Sequence, residues 1–254
     1  MSYKLFVFEG PDGSGKTHAV EEMKIRLIKS GFNNTHIIRL PSPEGILYHD
    51  IREILQDSKY IDEIFDSEYI RTMVSNSMAR YGYNLDEFRT KKESLLQTLM
   101  MINMKDVIND EALSKFGDGS IILLDRSFIS TIVYGIKNGN PMFMEYKSSD
   151  NKIDLIYNGI EIDKLYYFNI GLDLLLKHAS RRQKLEDCEE NDKTDSVLET
   201  HNLYNIIINK ISDQSKVMRV CDDLLYEGNE VTLYKLIYEK IHSDIIEICK
   251  ETDE

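Results

Sequence analysis

Lys4-Leu5-Phe6-Val7-Phe8-Glu9 runs directly into Gly10-Pro11-Asp12-Gly13-Ser14-Gly15-Lys16-Thr17. The first six residues, apolar between charged ends, read as a short buried strand. The glycines that follow read as a tight turn. From residue 17 to 30, apolar side chains recur at Val20, Met23, Leu27 and Ile28, a helical spacing that Gly31 stops. Strand, glycine-rich turn and helix are the setting the Walker A pattern requires, and residues 10–17 match it at every defined position. The glycines let successive backbone N–H groups turn inward around a phosphate, and the helix N-terminus adds partial positive charge. Gly10, Pro11, Asp12, Gly13, Ser14 and Gly15 thus form a candidate ATP cradle. Lys16 is expected to reach the outer phosphates, and the Thr17 hydroxyl to hold Mg²⁺.

Outward from this motif the chain alternates. Strands are expected at residues 35–40, closed by Pro41 and Pro43, at 120–125, at 165–170 and, more weakly, at 224–227. Helical stretches at 94–113, 172–182, 203–211 and 231–249 separate them. Short, wholly apolar strands alternating with helices imply a parallel sheet covered on both faces. The expected fold is a three-layer α/β/α P-loop arrangement with a five-stranded parallel sheet. Two segments break the rhythm. Residues 56–92 are rich in Asp, Tyr, Arg and Ser; residues 138–161 carry turn signals at Asn138-Gly139-Asn140-Pro141 and Asn158-Gly159 around a stretch, 152–157, that alternates like a hairpin strand. Both read as insertions on one domain spanning residues 1–254.

Composition narrows the function. With 42% hydrophobic and 30% charged residues, the 254-residue chain suits a globular core. No apolar run approaches the roughly 18 residues of a membrane span, and the N-terminus meets the motif too early for a signal peptide, so a cytoplasmic protein is expected. Three cysteines, Cys188, Cys221 and Cys249, are widely spaced and fit free thiols. The net charge of −13 argues against nucleic acid as a partner, since backbone phosphates need clustered Lys and Arg. A small anionic ligand needs only local positive charge. Asp125-Arg126 supplies a candidate pair at the end of the third strand: an acid placed to hold Mg²⁺ beside the loop, and a base suited to clamping an acceptor phosphate. Asn209-Lys210 is not followed by the acid that a guanine-specific motif would carry.

Three segments together resemble the thymidylate kinase family of P-loop nucleoside monophosphate kinases. Residues 8–17 are similar to that family's opening, with an acid at the third place of the loop. Arg39-Leu40-Pro41 is similar to its second-strand motif, and residues 125–135 to its Asp-Arg segment. The resemblance implies transfer of the ATP γ-phosphoryl group to a deoxynucleoside monophosphate, dTMP or a related pyrimidine, with Mg²⁺, in a homodimer. It also implies residue roles. Asp12 would accept a hydrogen bond from the sugar 3′-hydroxyl. Arg126 would contact the acceptor phosphate, with Arg39 near it. Thr131 would touch the base, and the Tyr134 ring would crowd the 2′ carbon. A catalytic arginine is expected in the loop or in a lid. Position 13 is glycine, so Arg181 and Arg182, in a lid at about residues 178–195, take that part.

One departure stands out. Where the family has a base-stacking aromatic followed by an arginine, this chain reads Leu99-Met100-Met101-Ile102-Asn103-Met104; either Asn103 replaces part of the lost recognition, or the base differs (dUMP, a modified pyrimidine or another deoxynucleotide), or Arg71, Arg80 and Arg89 of the first insertion fold in to compensate. Two alternatives stay open: a kinase for a nucleoside or other small hydroxyl acceptor, for which Glu9 and Asp12 are the loop's candidate bases, and a nucleotide-binding regulator without turnover. Abundant Lys, Ile, Asn and Asp with 4 prolines points to an AT-rich genome, such as that of a virus.

Overall fold

The computed structural model describes residues 3–45, 47–56, 68, 72, 95–157, 159–183, 191–221 and 230–250. Five parallel strands, β1 (Tyr3–Glu9), β2 (Thr35–Arg39), β3 (Ser120–Asp125), β6 (Lys164–Tyr167) and β7 (Val217–Arg219), form one sheet in the order β2-β3-β1-β6-β7. A two-stranded hairpin, β4 (Ile156–Tyr157) and β5 (Ile160–Glu161), stands apart from it. β1 lies in the middle, paired with β3 on one side and β6 on the other.

Successive side chains of a strand point to opposite faces, and here both faces are dry. Leu5 and Val7 pack with Ile122, Leu124 and Leu165 against α3 (Leu95–Val107), α5 (Phe128–Lys137) and α8 (Asn191–Asn209). Phe6 and Phe8 pack with Ile121, Leu123 and Tyr166 against α1 (Lys16–Lys29) and α9 (Glu230–Lys250). Helices, sheet and helices make three layers, the architecture of an α/β P-loop kinase. The other α-helices that lie in full among the described residues are α2 (Tyr48–Gln56), α4 (Asp110–Ser114), α6 (Pro141–Ser148) and α7 (Leu172–Gln183). No helix among the described residues is long and apolar enough to cross a membrane.

Several local expectations shift. The fifth strand is Val217–Arg219, half-buried and three residues long; residues 224–227 lie outside the described residues. The helix expected over 94–113 divides at Asn109, whose side chain accepts from the Ala112 N–H at 2.9 Å and starts a new turn. α8 begins twelve residues earlier than its apolar spacing suggested, in polar sequence. Of the 152–157 stretch only Ile156–Tyr157 is strand; Ile153 instead bridges Ile211. Most of the 56–92 segment lies outside the described residues, as do 184–190 of the expected lid.

α5 and α6 meet without room to spare. A Cβ on Gly135 would stand 2.2 Å from a ring carbon of the buried Phe143. Helix propensity favours Ala over Gly by about 0.5–1 kcal/mol, whereas overpacking a core costs about 1–3 kcal/mol. Gly135→Ala is therefore expected to lower stability by about 1–2 kcal/mol, read as a lower denaturant midpoint at unchanged slope. A more stable variant would show that the Phe143 ring yields freely.

Candidate active site

Register decides where the site forms. Phe8 pairs with Asp125 across β1 and β3, and Arg39 with Asp125 across β3 and β2. The glycine-rich loop and the Asp-Arg turn therefore leave the sheet side by side at the strands' carboxyl ends. Gly15, at φ +89°, caps α1, and a Cβ there would lie 2.6 Å from the Tyr234 ring, so the loop demands glycine both for its backbone and for its packing.

Lys16 is 4% exposed. Its Nζ donates to the Pro11 carbonyl at 2.8 Å and approaches Ser14 Oγ at 3.4 Å. Burial lowers its pKa to about 7, helped by the Arg126 charge and opposed by Asp12, Glu9 and Asp125. The ammonium is thus held where it lacks a full counter-charge, and an anion in the loop would supply one.

Arg126 occupies a left-handed backbone conformation at φ +76°, which costs a non-glycine residue on the order of 1–2 kcal/mol. Its guanidinium binds Asp12 Oδ1, reaches Ser130 Oγ at 3.4 Å and lies 5.7 Å from the Tyr134 ring centroid. The Tyr134 hydroxyl donates to Asp12 Oδ2 at 2.9 Å. Crowding by protein raises the Asp12 pKa, but the Arg126 and Lys16 charges and the Tyr134 hydroxyl outweigh it and bring the carboxyl down to about 2. The sequence placed Asp12, Arg126 and Tyr134 at one subsite, and the fold brings them into contact.

Glu9 had been a candidate base. It is fully buried, and Oε1 accepts from the Ser127 N–H (2.6 Å), Ser127 Oγ (2.8 Å) and the Ser130 N–H (3.1 Å). Oε2 accepts from Ser130 Oγ (2.6 Å) and the Tyr204 hydroxyl (3.3 Å). A carboxylate at the start of α5 suits that helix end.

The other expected residues separate. Asp125 is buried, and its Oδ1 has no hydrogen-bond partner among the described residues. An orphaned carboxylate oxygen whose charge reaches Lys16, the residue before the exposed Thr17, fits Mg²⁺, which takes few protein ligands and keeps its waters. Arg39 is half exposed and paired with Glu21 of α1 rather than with Arg126's cluster. Thr131 is buried in α5. Asn103 is also fully buried, and its amide clamps the Ser42 backbone, Oδ1 accepting from the N–H at 2.7 Å and Nδ2 donating to the carbonyl at 2.9 Å. The amide expected to read a base here holds a loop.

At the outer rim, Lys177, His178 and Arg181 of α7 converge on Glu230 of α9. Lys177 Nζ and Arg181 Nη1 each approach it at 3.3 Å. His178 bridges Glu230 Oε1 (2.5 Å) and the Gly13 carbonyl (2.6 Å). Burial raises the Glu230 pKa, but hydrogen bonds from His178 and Lys177 prevail and hold it below its usual range. Between this cluster and the loop opens a cleft of about 690 Å³, lined by Gly13, Gly15, His18, Arg181 and Tyr234 among others. The Arg182 side chain lies outside the described set. Sequence reading missed His178, although its i,i+3 spacing to Arg181 places the two on one helix face. Glu230 and Tyr204 gave no such signal.

Loop, Asp-Arg turn and parallel sheet together define the class, an α/β protein of the P-loop kinase type. No family model matches the chain. It is 23% identical over 254 residues to thymidylate kinase of Caldicellulosiruptor saccharolyticus, covering 99% of this chain and 100% of the relative. Thymidylate kinases of Buchnera aphidicola (24% over 191 residues, 75% of this chain and 76% of the relative) and Campylobacter hominis (26% over 186, 73% and 76%) match as well. These relatives support a divergent member of the thymidylate kinase family, and at that level a kinase.

The Asp12 pairing has a pH signature. A carboxyl depressed in the folded state contributes stability that is complete above its unfolded pKa of about 3.9 and is lost as pH falls through the folded value, here about 2. The gap in denaturant midpoint between the wild type and Asp12→Asn is expected to be constant above about pH 5 and to close toward pH 2. A gap unchanged down to pH 2 would show that Asp12 is not held as an ion.

Proposed function

We propose that the protein transfers the ATP γ-phosphoryl group to a deoxynucleoside monophosphate, dTMP or a related pyrimidine nucleotide. The observation that carries this reading is the Asp12–Arg126–Tyr134 cluster standing against the Walker A loop. Arg126, with two faces of its guanidinium already bound to oxygen ligands, is a ready bidentate partner for an acceptor phosphate. Exchange of Asp12 for that phosphate frees the Asp12 carboxylate to accept from a sugar hydroxyl, beside the Tyr134 ring. The relatives reported above are thymidylate kinases.

Phosphoryl transfer of this kind rests on positioning and electrostatics. Lys16, shifted by a short swing from the Pro11 carbonyl, meets the outer phosphates and regains full charge. Thr17 and Asp125 would hold Mg²⁺, which when bound neutralises charge on the donor phosphates. Arg181 must leave Glu230 to reach the transferring group.

The nucleoside-kinase alternative needs a base beside the acceptor hydroxyl. Glu9 has both oxygens engaged by five donors, and Asp12, with a pKa of about 2, is a poor proton acceptor. Both observations favour an acceptor that is already a phosphate.

The test is ADP release with ATP and Mg²⁺ across a panel of nucleosides and monophosphates. Turnover of deoxynucleoside monophosphates is expected. Turnover of nucleosides alone, or of none, would overturn the reading in favour of the small-molecule kinase or the regulator. In the same assay Arg126→Ala should raise the acceptor KM about 10- to 100-fold, as loss of a charged hydrogen bond worth about 1.5–3 kcal/mol implies, while leaving the ATP KM nearly unchanged. Loss of ATP affinity instead would put Arg126 on the donor side.

For the lid, replacing both Arg181 and Arg182 by Ala is expected to slow kcat by at least about 100-fold with smaller changes in KM, since cations on the transferring phosphoryl can contribute about 10³–10⁵. An unchanged kcat would move the catalytic cation elsewhere.

A further inference from the structure

We infer that Glu9 is a positioning residue that fixes Arg126 for acceptor binding, acting through Ser127 and Ser130. The inference rests on the acceptor role proposed above for Arg126, and it assigns a task to a buried charge that phosphoryl transfer itself does not use.

The chain must reverse sharply at the end of β3. Arg126 makes that reversal at φ +76°, and its own N–H donates to the Phe8 carbonyl at 3.1 Å. A bulky residue keeps this conformation only when its surroundings over-determine it. Glu9 provides the determination. The residue after Phe8, it gathers both N–H and hydroxyl of Ser127 and of Ser130, the residues that open α5. With Arg126 tied to Phe8 and Ser127 tied to Glu9, the turn is gripped on both sides by the end of β1.

A second path runs through the Ser130 hydroxyl. A hydroxyl has one proton and two lone pairs. The proton goes to Glu9 Oε2 at 2.6 Å, and the lone pairs face Arg126 Nη1 at 3.4 Å and the Tyr204 hydroxyl, whose single proton is shared between Ser130 Oγ at 2.8 Å and Glu9 Oε2 at 3.3 Å. By taking the proton, the carboxylate turns the oxygen's acceptor side toward Arg126. An amide in place of Glu9 would present an N–H to Ser130 and compete with the guanidinium for those lone pairs. Glu9 thus sets both the backbone and the side-chain contact of Arg126 while touching no part of the site where a phosphate would sit.

Two variants test this, with circular dichroism and thermal unfolding to show that each folds. Glu9→Gln keeps the shape and should raise the acceptor KM about 10-fold, and Glu9→Ala by more, with a clearly smaller rise in the ATP KM, because the acceptor clamp is displaced while the donor side loses only the support that the Glu9 charge gives the Lys16 ammonium. A general loss of structure would instead raise both KM values together, and that result overturns the inference, as does an acceptor KM that does not move. A second readout does not depend on activity. In the crystal structure of Glu9→Gln, and of Glu9→Ala if it folds, Arg126 is expected to leave the left-handed region or part from Asp12; retention of both in the variants overturns the inference. If the wild type phosphorylates no monophosphate, the proposed function fails by itself, and the place of Arg126 in the variant structure still decides the role of Glu9.

Discussion

The parallel pairing of β1 with β3 is the constraint on which the rest depends. With Phe8 opposite Asp125, the chain leaves both strands at the same level. One exit becomes the glycine-rich loop and the other the Asp125-Arg126 turn. A shift of one residue along the pair would invert the side chains of β1, sending Leu5 and Val7 to the layer that Phe6 and Phe8 occupy. Both layers are fully packed, so the register is enforced by the whole core and not by the site. Lys16, Asp12 and Arg126 meet because hydrophobic burial on two faces leaves their strands no other alignment.

What was legible in the sequence was local. The loop carries its reading in eight consecutive residues, and strands buried on both faces announce themselves as unbroken apolar runs. The fold class and the partnership of Asp12, Arg126 and Tyr134 followed from those and from the family resemblance. What was not legible depends on distance along the chain. Arg181 meets Glu230 across 49 residues, and Tyr204 meets Glu9 across 195. β7 was missed because Val217–Arg219 is half-buried at the sheet's edge and lacks an apolar run. The first half of α8 has no apolar stripe; Lys137, which donates to Ser196 Oγ at 2.5 Å and Thr200 Oγ1 at 2.8 Å, ties it to α5 instead.

The net charge of −13 and the positive site coexist because the cations are local and their counter-charges are internal. Arg126 is balanced by Asp12, and Arg181 and Lys177 by Glu230. Under the proposed function each is an ion pair that an incoming phosphate would exchange, the cost of parting it being offset by a more highly charged partner. Glu230, held below its usual range, keeps its full charge near neutral pH and with it a hold on α7. Lys16 differs, because burial leaves it short of negative charge. A polyphosphate would relieve that shortage, so the loop is poised for an anion in a way the rim is not.

The departure at Leu99 to Met104 has a physical content of its own. Leu99, Ile102 and Met104 are buried, and Asn103 is spent on the Ser42 backbone. Gly45 packs so closely on Asn103 that a Cβ would come within 2.5 Å of the amide nitrogen. The face that carries an aromatic and an arginine in the resembling family is here a packing surface and a loop clamp. The Asp12–Arg126–Tyr134 cluster, proposed to hold the acceptor's phosphate and sugar, is by contrast assembled. Recognition of phosphate and sugar needs a few fixed charges, whereas recognition of a base needs hydrogen bonds that match its edge, and a site that leaves such groups unpaired discriminates most strongly. The two parts lie on different elements, α5 with the loop on one side and α3 on the other. Under the proposed function, a chain could therefore replace a base-reading face with core packing and keep the cluster that would hold a phosphate, so that divergence in the acceptor's base would cost the proposed transfer site nothing.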